Sequence, residues 1–312
     1  MSQPLVTIGV PAYNEGAYIR EALESLLKQT YRNLEIVVAD NGSTDDTAKI
    51  CQEFAAKDAR VVHVRHPRNI GQNANFNHLP RVASGTYFAW ASAHDFMDED
   101  FVEKCVAALE TDPEAVLACP RTVYTDEHGN KAGEKIRNPF DVRGMPPAKR
   151  FRETMWRVDC NIVYGMYRLS EMRKTNFFQL VPAPDRVFLS ELATKGAFVP
   201  ADTAKYYRAN RGAIPQTEIQ KRHRLMRYIW PDQTFTDAEL AGNDFYAPTV
   251  LAFRSVVLNA GFPLLTRVRC LFSVWACGVM KFHLFPGADA MSAFVRAVAP
   301  KPLLNAILRK MQ

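Results

Sequence analysis

GTYFAWASAHDFMDEDF, Gly85 to Phe101, is the stretch on which the fold turns. An apolar run, Tyr87 to Trp90, stops in small residues and then in His94 and Asp95. That order reads as a buried strand delivering metal-competent side chains at its carboxyl end. In open α/β sheets ligands sit in the crevice beyond the strand C-termini, so neighbouring strands are expected to bring polar residues to the same edge. Asp40 and Asn41 follow LEIVVA, and Tyr13, Asn14 and Glu15 follow LVTIGVPA.

Working outward, residues 5–10 alternate as a strand that PAYNEG breaks, and Glu15 to Gln29 carries Ile19, Leu23, Leu26 and Leu27 at helical spacing. LEIVVAD is the second strand. DNGSTDD turns the chain into a helix holding Ile50 and Phe54, with Ser43 or Thr44 as its N-cap and Asp46 in its first turn. VVHVRH is the third strand and NIGQNANFNHL starts a short helix. A helix from Asp98 to Leu109 and a strand AVLACP follow the Gly85 stretch. Strands alternating with helices at this pace predict an α/β fold: a mostly parallel, doubly wound central sheet flanked by helices.

After Pro120 the pattern changes. RTVYTDEHGNKAG reads as a hairpin turning at His128-Gly129-Asn130, and GMPPAK as a loop opening a helix that runs to Val158. NIVYGMYR reads as a short strand, Asp185 to Thr194 as a helix, and GAFVPADTAKYYRAN as one or two closing strands. Beyond Pro215 only helices are expected, broken near Pro231, Pro248, Pro263, Pro286 and the Pro300 and Pro302 pair. The division predicted is residues 1–212 as the catalytic unit and 213–312 as an all-helical extension.

The formal charge of +6 over 312 residues is mild, and no nucleic-acid partner is expected. The cations are uneven, however: Arg208, Arg211, Lys221, Arg222, Arg224 and Arg227 face only Glu218, which suggests a basic surface near an anionic partner. Six cysteines form no CxxC pair and fit small buried hydrophobes in a reducing cytosol. The N-terminus runs straight into a strand with no export-type leader, so a cytoplasmic location is expected. Cys270 to Met280 is too short to span a bilayer, which needs ~20 apolar residues. Leu264, Leu265, Val268, Leu271, Phe272, Trp275 and Val279 nonetheless space as an apolar stripe flanked by Arg267, Arg269 and Lys281, suited to an anionic membrane face, to packing or to an oligomer contact.

No GxGxxG follows the first strand and no GxxxxGK[ST] occurs, which argues against dinucleotide and P-loop folds. VTIGVPAYNE, VVADNGSTDDT, RNIGQNANFN and the Gly85 stretch together resemble the family 2 glycosyltransferases, over residues 4 to about 212. The resemblance implies a GT-A fold and an inverting transfer of sugar from a nucleotide-diphosphate donor to a glycan or lipid-linked acceptor hydroxyl, as in surface polysaccharide assembly at the inner face of the cell membrane. It implies that the PAYNE loop, with Pro11, Ala12, Tyr13 and Glu15, lines the nucleoside pocket. Tyr13 offers a ring to stack on a base and Glu15 an acceptor; Asp40 accepts from a base N–H. Arg68, Asn69 and Gly71 open a helix whose free N–H groups favour an anion or base edge, while Asn75 and Asn77 brace the loop. Each motif alone also admits a plain structural reading, as a strand-end turn or a helix cap.

Where the family commonly places DxD, this chain has Ser92, Ala93, His94 and Asp95. The resemblance still assigns these four residues to the donor, with His94 and Asp95 as ligands of a divalent metal. Oxygen ligands suit Mg²⁺, and an imidazole moves the preference toward Mn²⁺. In LVPAPDRVFLSEL, Asp185 occupies the family's catalytic carboxylate position, although Ala183 and Pro184 stand where an acidic partner is common. The family's closing RxH is Arg208-Ala209-Asn210 here, which removes one candidate metal or phosphate contact. A non-catalytic nucleotide-sugar binder or scaffold of the same fold is the alternative.

Overall fold

A computed structural model describes residues 3–125, 136–137, 139–209, 216–242 and 245–282. The chain runs β1 (Val6–Ala12), α1 (Ile19–Leu27), β2 (Leu34–Asp40), α2 (Thr47–Lys57), β3 (Val61–Arg65), α3 (Gln72–Val82), β4 (Tyr87–Trp90), β5 (Phe96–Met97) and α4 (Phe101–Thr111). Then come β6 (Ala115–Thr125), β7 (Ile136–Arg137), α5 (Pro147–Arg157), a 3-10 turn (Cys160–Tyr164), β8 (Met166–Arg168), α6 (Leu169–Met172), α7 (Pro184–Lys195) and β9 (Ala197–Ala209). Four helices close it: α8 (Glu218–Ile229), α9 (Asp237–Ala241), α10 (Ala247–Asn259) and α11 (Leu264–Phe282).

The sheet order is β3-β2-β1-β4-β8-β6-β9-β5, with β7 beside β6. Its first half is parallel, with Ala12 opposite Asp40 and Gly9 opposite Trp90. Beyond β4 the sheet becomes mixed: β8 is antiparallel to β4 and β6, and β9 is parallel to β6. Central strands covered on both faces need apolar residues at every position. Thus Ile36 and Val38 join one core with α1, α2 and α4, while Val37 and Ala39 join a second with α3 and α7. Trp90 is the node of that second core: its ring lies 5.1 Å from Phe178 and 5.6 Å from Phe188, and its indole N–H donates to the Phe76 carbonyl.

Some expected elements are placed differently. NIVYGMYR is a 3-10 turn followed by β8, because the Asp159 carboxylate accepts the Asn161 N–H and starts a turn. The helix expected from Asp98 begins at Phe101, after the two-residue β5 pairs with β9. AFVPADTAKYYRA is one long strand with a register shift against β6 between Pro120 and Arg121. β6 and β7 pair as the expected hairpin, whose turn at His128-Gly129-Asn130 lies outside the described residues. Ser43 does not cap α2, which has Asp46 at its N-cap without a side-chain bond. The helix breaks at Pro231, Pro248 and Pro263 are present; Pro286, Pro300 and Pro302 lie outside the described residues.

α10 and one face of α11 pack on α5 and α7, in a third core joining Phe151 and Val187 to Phe253, Leu271 and Val274. The other face of α11 leaves Leu264, Leu265, Val268, Phe272 and Met280 exposed. Among the described residues no helix is long and apolar enough to cross a membrane.

Candidate active site

The loops after β1 and β2 are zipped together. Ser43 Oγ accepts the Asn14 N–H, Thr47 Oγ1 the Glu15 N–H and Asp45 Oδ2 the Gly16 N–H, while Asn14 Oδ1 accepts the Thr44 N–H. Asn14 takes a left-handed φ of 54°, which asparagine tolerates better than most residues. DNGSTDD is therefore a brace for the PAYNE loop more than a helix cap. Pro11 and Ala12 end β1, Tyr13 stands 44% exposed beyond them, and Glu15 faces the next strand end.

Asp40 is fully buried at the end of β2. Its Oδ1 accepts the Ser43 N–H, and its Oδ2 lies 3.3 Å from Arg65 Nε and 3.9 Å from His63 Nε2. Burial pushes its pKa up, but the nearby His63 imidazole, the Ser43 hydrogen bond and the Arg65 charge outweigh this and hold it below the usual range. Gly42, at φ +72°, lets this loop run against the Arg68 backbone, where a Cβ would sit 2.7 Å from the Arg68 carbonyl carbon. Asn41 then accepts the Ile70 N–H and donates to Asn69 Oδ1, which also accepts the Gly71 N–H. Asn69 is thus a loop brace, and Arg68 reaches outward to Asp232 beyond α8. Gly71 has φ +91°, and a Cβ there would meet the Ile229 carbonyl at 2.9 Å, so the end of α8 lies directly on this loop. Asn75 and Asn77 brace as expected: Asn75 donates to the Ala39 carbonyl, and Asn77 bonds both backbone groups of Phe178.

Beyond β4, Ser92, Ala93 and Asp95 are buried and His94 is half-buried. Tyr206 ties the turn together by accepting the Ser92 N–H at 3.1 Å and donating to Asp95 Oδ2 at 3.0 Å; Asp95 Oδ1 accepts the Ala209 N–H. Burial raises the Asp95 pKa, against the opposing influence of His94, these two bonds and Arg208. His94 Nδ1 lies 2.9 Å from Glu15 Oε1, so the first and fourth strand ends meet through this pair.

A carboxylate on Nδ1 is the usual support for an imidazole that ligates a metal through Nε2. Asp95, by contrast, has a protein bond on each oxygen, and among the described residues no three His, Cys, Asp or Glu side chains converge as a metal cluster. Of the two expected metal ligands, His94 fits that role by its chemistry, while Asp95 braces the turn. Asn210 lies outside the described residues.

Asp185 sits in the first turn of α7 behind Ala183 and Pro184, where the helix dipole favours a carboxylate. The 3-10 turn joins it to the strand edge. The half-buried Cys160 thiol interacts with the Asp185 carboxylate, and desolvation and that charge push the thiol pKa up. Tyr164 stacks on Tyr206 at 4.7 Å, and its phenol is raised by burial and by the charges of Asp95, Asp185 and Glu15, with Arg208 opposing. The sequence-predicted Glu15, Asp95 and Asp185 therefore all act on one half-buried tyrosine, and His94 is joined to them through its pair with Glu15. Tyr164, Tyr206, Asn161 and Arg208 were not among the expected site residues. The YY of AKYYRAN, next to the position matching RxH, was the available signal.

The family model Glycosyl transferase family 2 matches residues 7–172. Over 138 residues the chain is 37% identical to the chondroitin synthase of Escherichia coli, covering 44% of this chain and 19% of that protein. The chain spans less than half the length of the first curated relatives it matches. Staphylococcus aureus TarS shares the fold at a TM-score of 0.60 and 18% identity, over 97% of this chain and 50% of that one; its residues 1–349 have also been solved with UDP-GlcNAc. The mannosyltransferase PcManGT of Pyrobaculum calidifontis, solved with GDP-Man and Mn²⁺, gives a TM-score of 0.51 at 18% identity, over 91% of this chain and 78% of that one. With a GT-A-like sheet and a family match over more than half its length, the chain belongs to glycosyl transferase family 2.

Proposed function

We propose that this protein is an inverting glycosyltransferase that moves one sugar from a nucleotide-diphosphate donor to an acceptor hydroxyl in glycan assembly. The reading is carried by the Glu15–His94 pair that joins the ends of β1 and β4 beside Asp95, with Asp185 in the first turn of α7 acting, like Glu15 and Asp95, on Tyr164. The nucleoside lies between Tyr13 and Asp40, and the Arg68 to Gly71 loop borders it. Asp185 takes the acceptor hydroxyl proton as the new oxygen to anomeric-carbon bond forms and the bond from that carbon to the diphosphate oxygen breaks. Nucleoside diphosphate and the glycoside are the products, with inversion at the attacked carbon. A divalent ion held by His94 would neutralise charge on the departing diphosphate.

Residues 1–212 form the transferase unit in this reading, and α8, α10 and α11 pack on it. We also propose peripheral contact of the exposed α11 stripe, with exposed Arg269 beside it, with an anionic membrane face such as the cytoplasmic one, where a lipid-linked acceptor would lie. The test is turnover of a panel of UDP, GDP, dTDP and CMP sugars, with and without Mn²⁺, scored for nucleotide release and for glycoside formed on added acceptors. Release from at least one sugar is expected; binding without release from any of them would favour a non-catalytic binder.

A further inference from the structure

Tyr206 and Arg208 lie two apart on β9 and so share a face of the sheet. Tyr206 bonds Asp95, and Arg208 stands one step farther toward the crevice edge. Although exposed, its guanidinium is held: Nη1 donates to the Asn161 side-chain oxygen. Asn161 is only 6% exposed, and its amide nitrogen donates to Tyr124 Oη at 2.6 Å and to Asp159 Oδ1 at 2.8 Å. Those two acceptors assign the amide orientation, oxygen toward Arg208. One N–H of the fork is thereby anchored to a buried group. Others remain for a ligand, and the Arg208 charge acts on both Asp95 and Tyr164.

We propose that Arg208, aimed by Asn161, binds the donor diphosphate from the β9 side of the crevice. This rests on the donor reading above and adds a residue to it. The side chains of the turn after β4 offer a diphosphate little positive charge of their own: Ser92 and Ala93 are neutral, Asp95 has both oxygens bonded, and His94 is paired with the Glu15 carboxylate. A guanidinium presents paired N–H donors that match phosphate oxygens, and a pre-set orientation reduces the freedom lost on binding. Asn161 touches no ligand in this account; it is a positioning residue.

The experiment is calorimetric binding of UDP, GDP, dTDP, CDP and ADP, each beside its monophosphate and nucleoside, to the full-length chain, with EDTA and again with Mn²⁺. Wild type should prefer one diphosphate over its monophosphate. Arg208→Gln should lower that preference about 10- to 100-fold, the usual range for a charge-assisted hydrogen bond, and leave nucleoside affinity unchanged. Arg208→Lys and Asn161→Ala should each give an intermediate loss, and they decide the matter should Arg208→Gln fail to melt cooperatively. If Arg208→Gln keeps the wild-type preference, or if the two other variants do when it is unfolded, the assignment of Arg208 is overturned while the donor reading stands. A wild type that prefers no diphosphate in either condition overturns the donor reading itself.

Discussion

Asp40 shows how much of a binding pocket can rest on one side chain. A carboxylate with no solvent exposure, held ionised by Ser43, His63 and Arg65, is a fixed acceptor at the edge where a base would lie. Asp40→Ala should therefore weaken nucleotide binding by about 1–3 kcal/mol, the cost of stranding a polar partner. Calorimetry on a folded variant checks this, and unchanged affinity for UDP and GDP would remove Asp40 from the pocket. Residues such as Asp40, His94 and Asp185 were legible in the sequence because each follows a recognisable strand or opens a recognisable helix. Tyr206 was not, because its partners Ser92 and Asp95 lie more than a hundred positions away and meet it only through the order of strands in the sheet. Asn69 was legible as a loop residue but not as a brace, since its partner Asn41 belongs to another strand end.

Among the elements, α7 places Asp185, and the loop before it is pinned at three places. Asn77 bonds Phe178, Asn73 donates to the Gln179 carbonyl, and the buried Glu191 of α7 accepts both the backbone N–H and the amide of Asn176. Burial raises the Glu191 pKa above its ordinary 4.5, against the Asn176 bonds and Lys195. A carboxyl whose folded pKa exceeds its unfolded one binds protons on folding. Its stabilising contribution is fully present below the unfolded value and is lost as pH rises through the folded value. The stability of wild type relative to Glu191→Gln should accordingly decline as pH is raised from below about 4.5. Urea unfolding at a series of pH values measures it, and a relative stability that grows with pH over that window would contradict the assignment. Helices with clear apolar spacing, such as α1, were readable; β5 was not, because two residues carry no period and gain their pairing from β9. NIVYGMYR carries strand-forming side chains, yet the Asp159 turn takes its first half.

At the scale of the whole molecule, the parallel half of the sheet follows the alternation of the sequence closely, while the mixed half depends on long connections that alternation does not specify. The C-terminal helices illustrate the same limit: the stripe of α11 was visible, but Leu271 turned inward to α5 and α10 while Leu264 and Phe272 stayed 73% and 60% exposed. If that exposed face meets anionic lipid, the intact protein should float with anionic liposomes at low salt and release as salt is added. Failure to float at low salt would leave α11 as a packing element. In the proposed mechanism donor binding belongs to the strand ends and the chemical step to α7, and Asp185→Asn separates the two by removing the base while keeping its shape. Measured with the donor that wild type turns over, kcat should fall about 10²- to 10⁴-fold with donor affinity nearly intact. Transfer at close to the wild-type rate, or loss of donor binding in its place, would contradict the account.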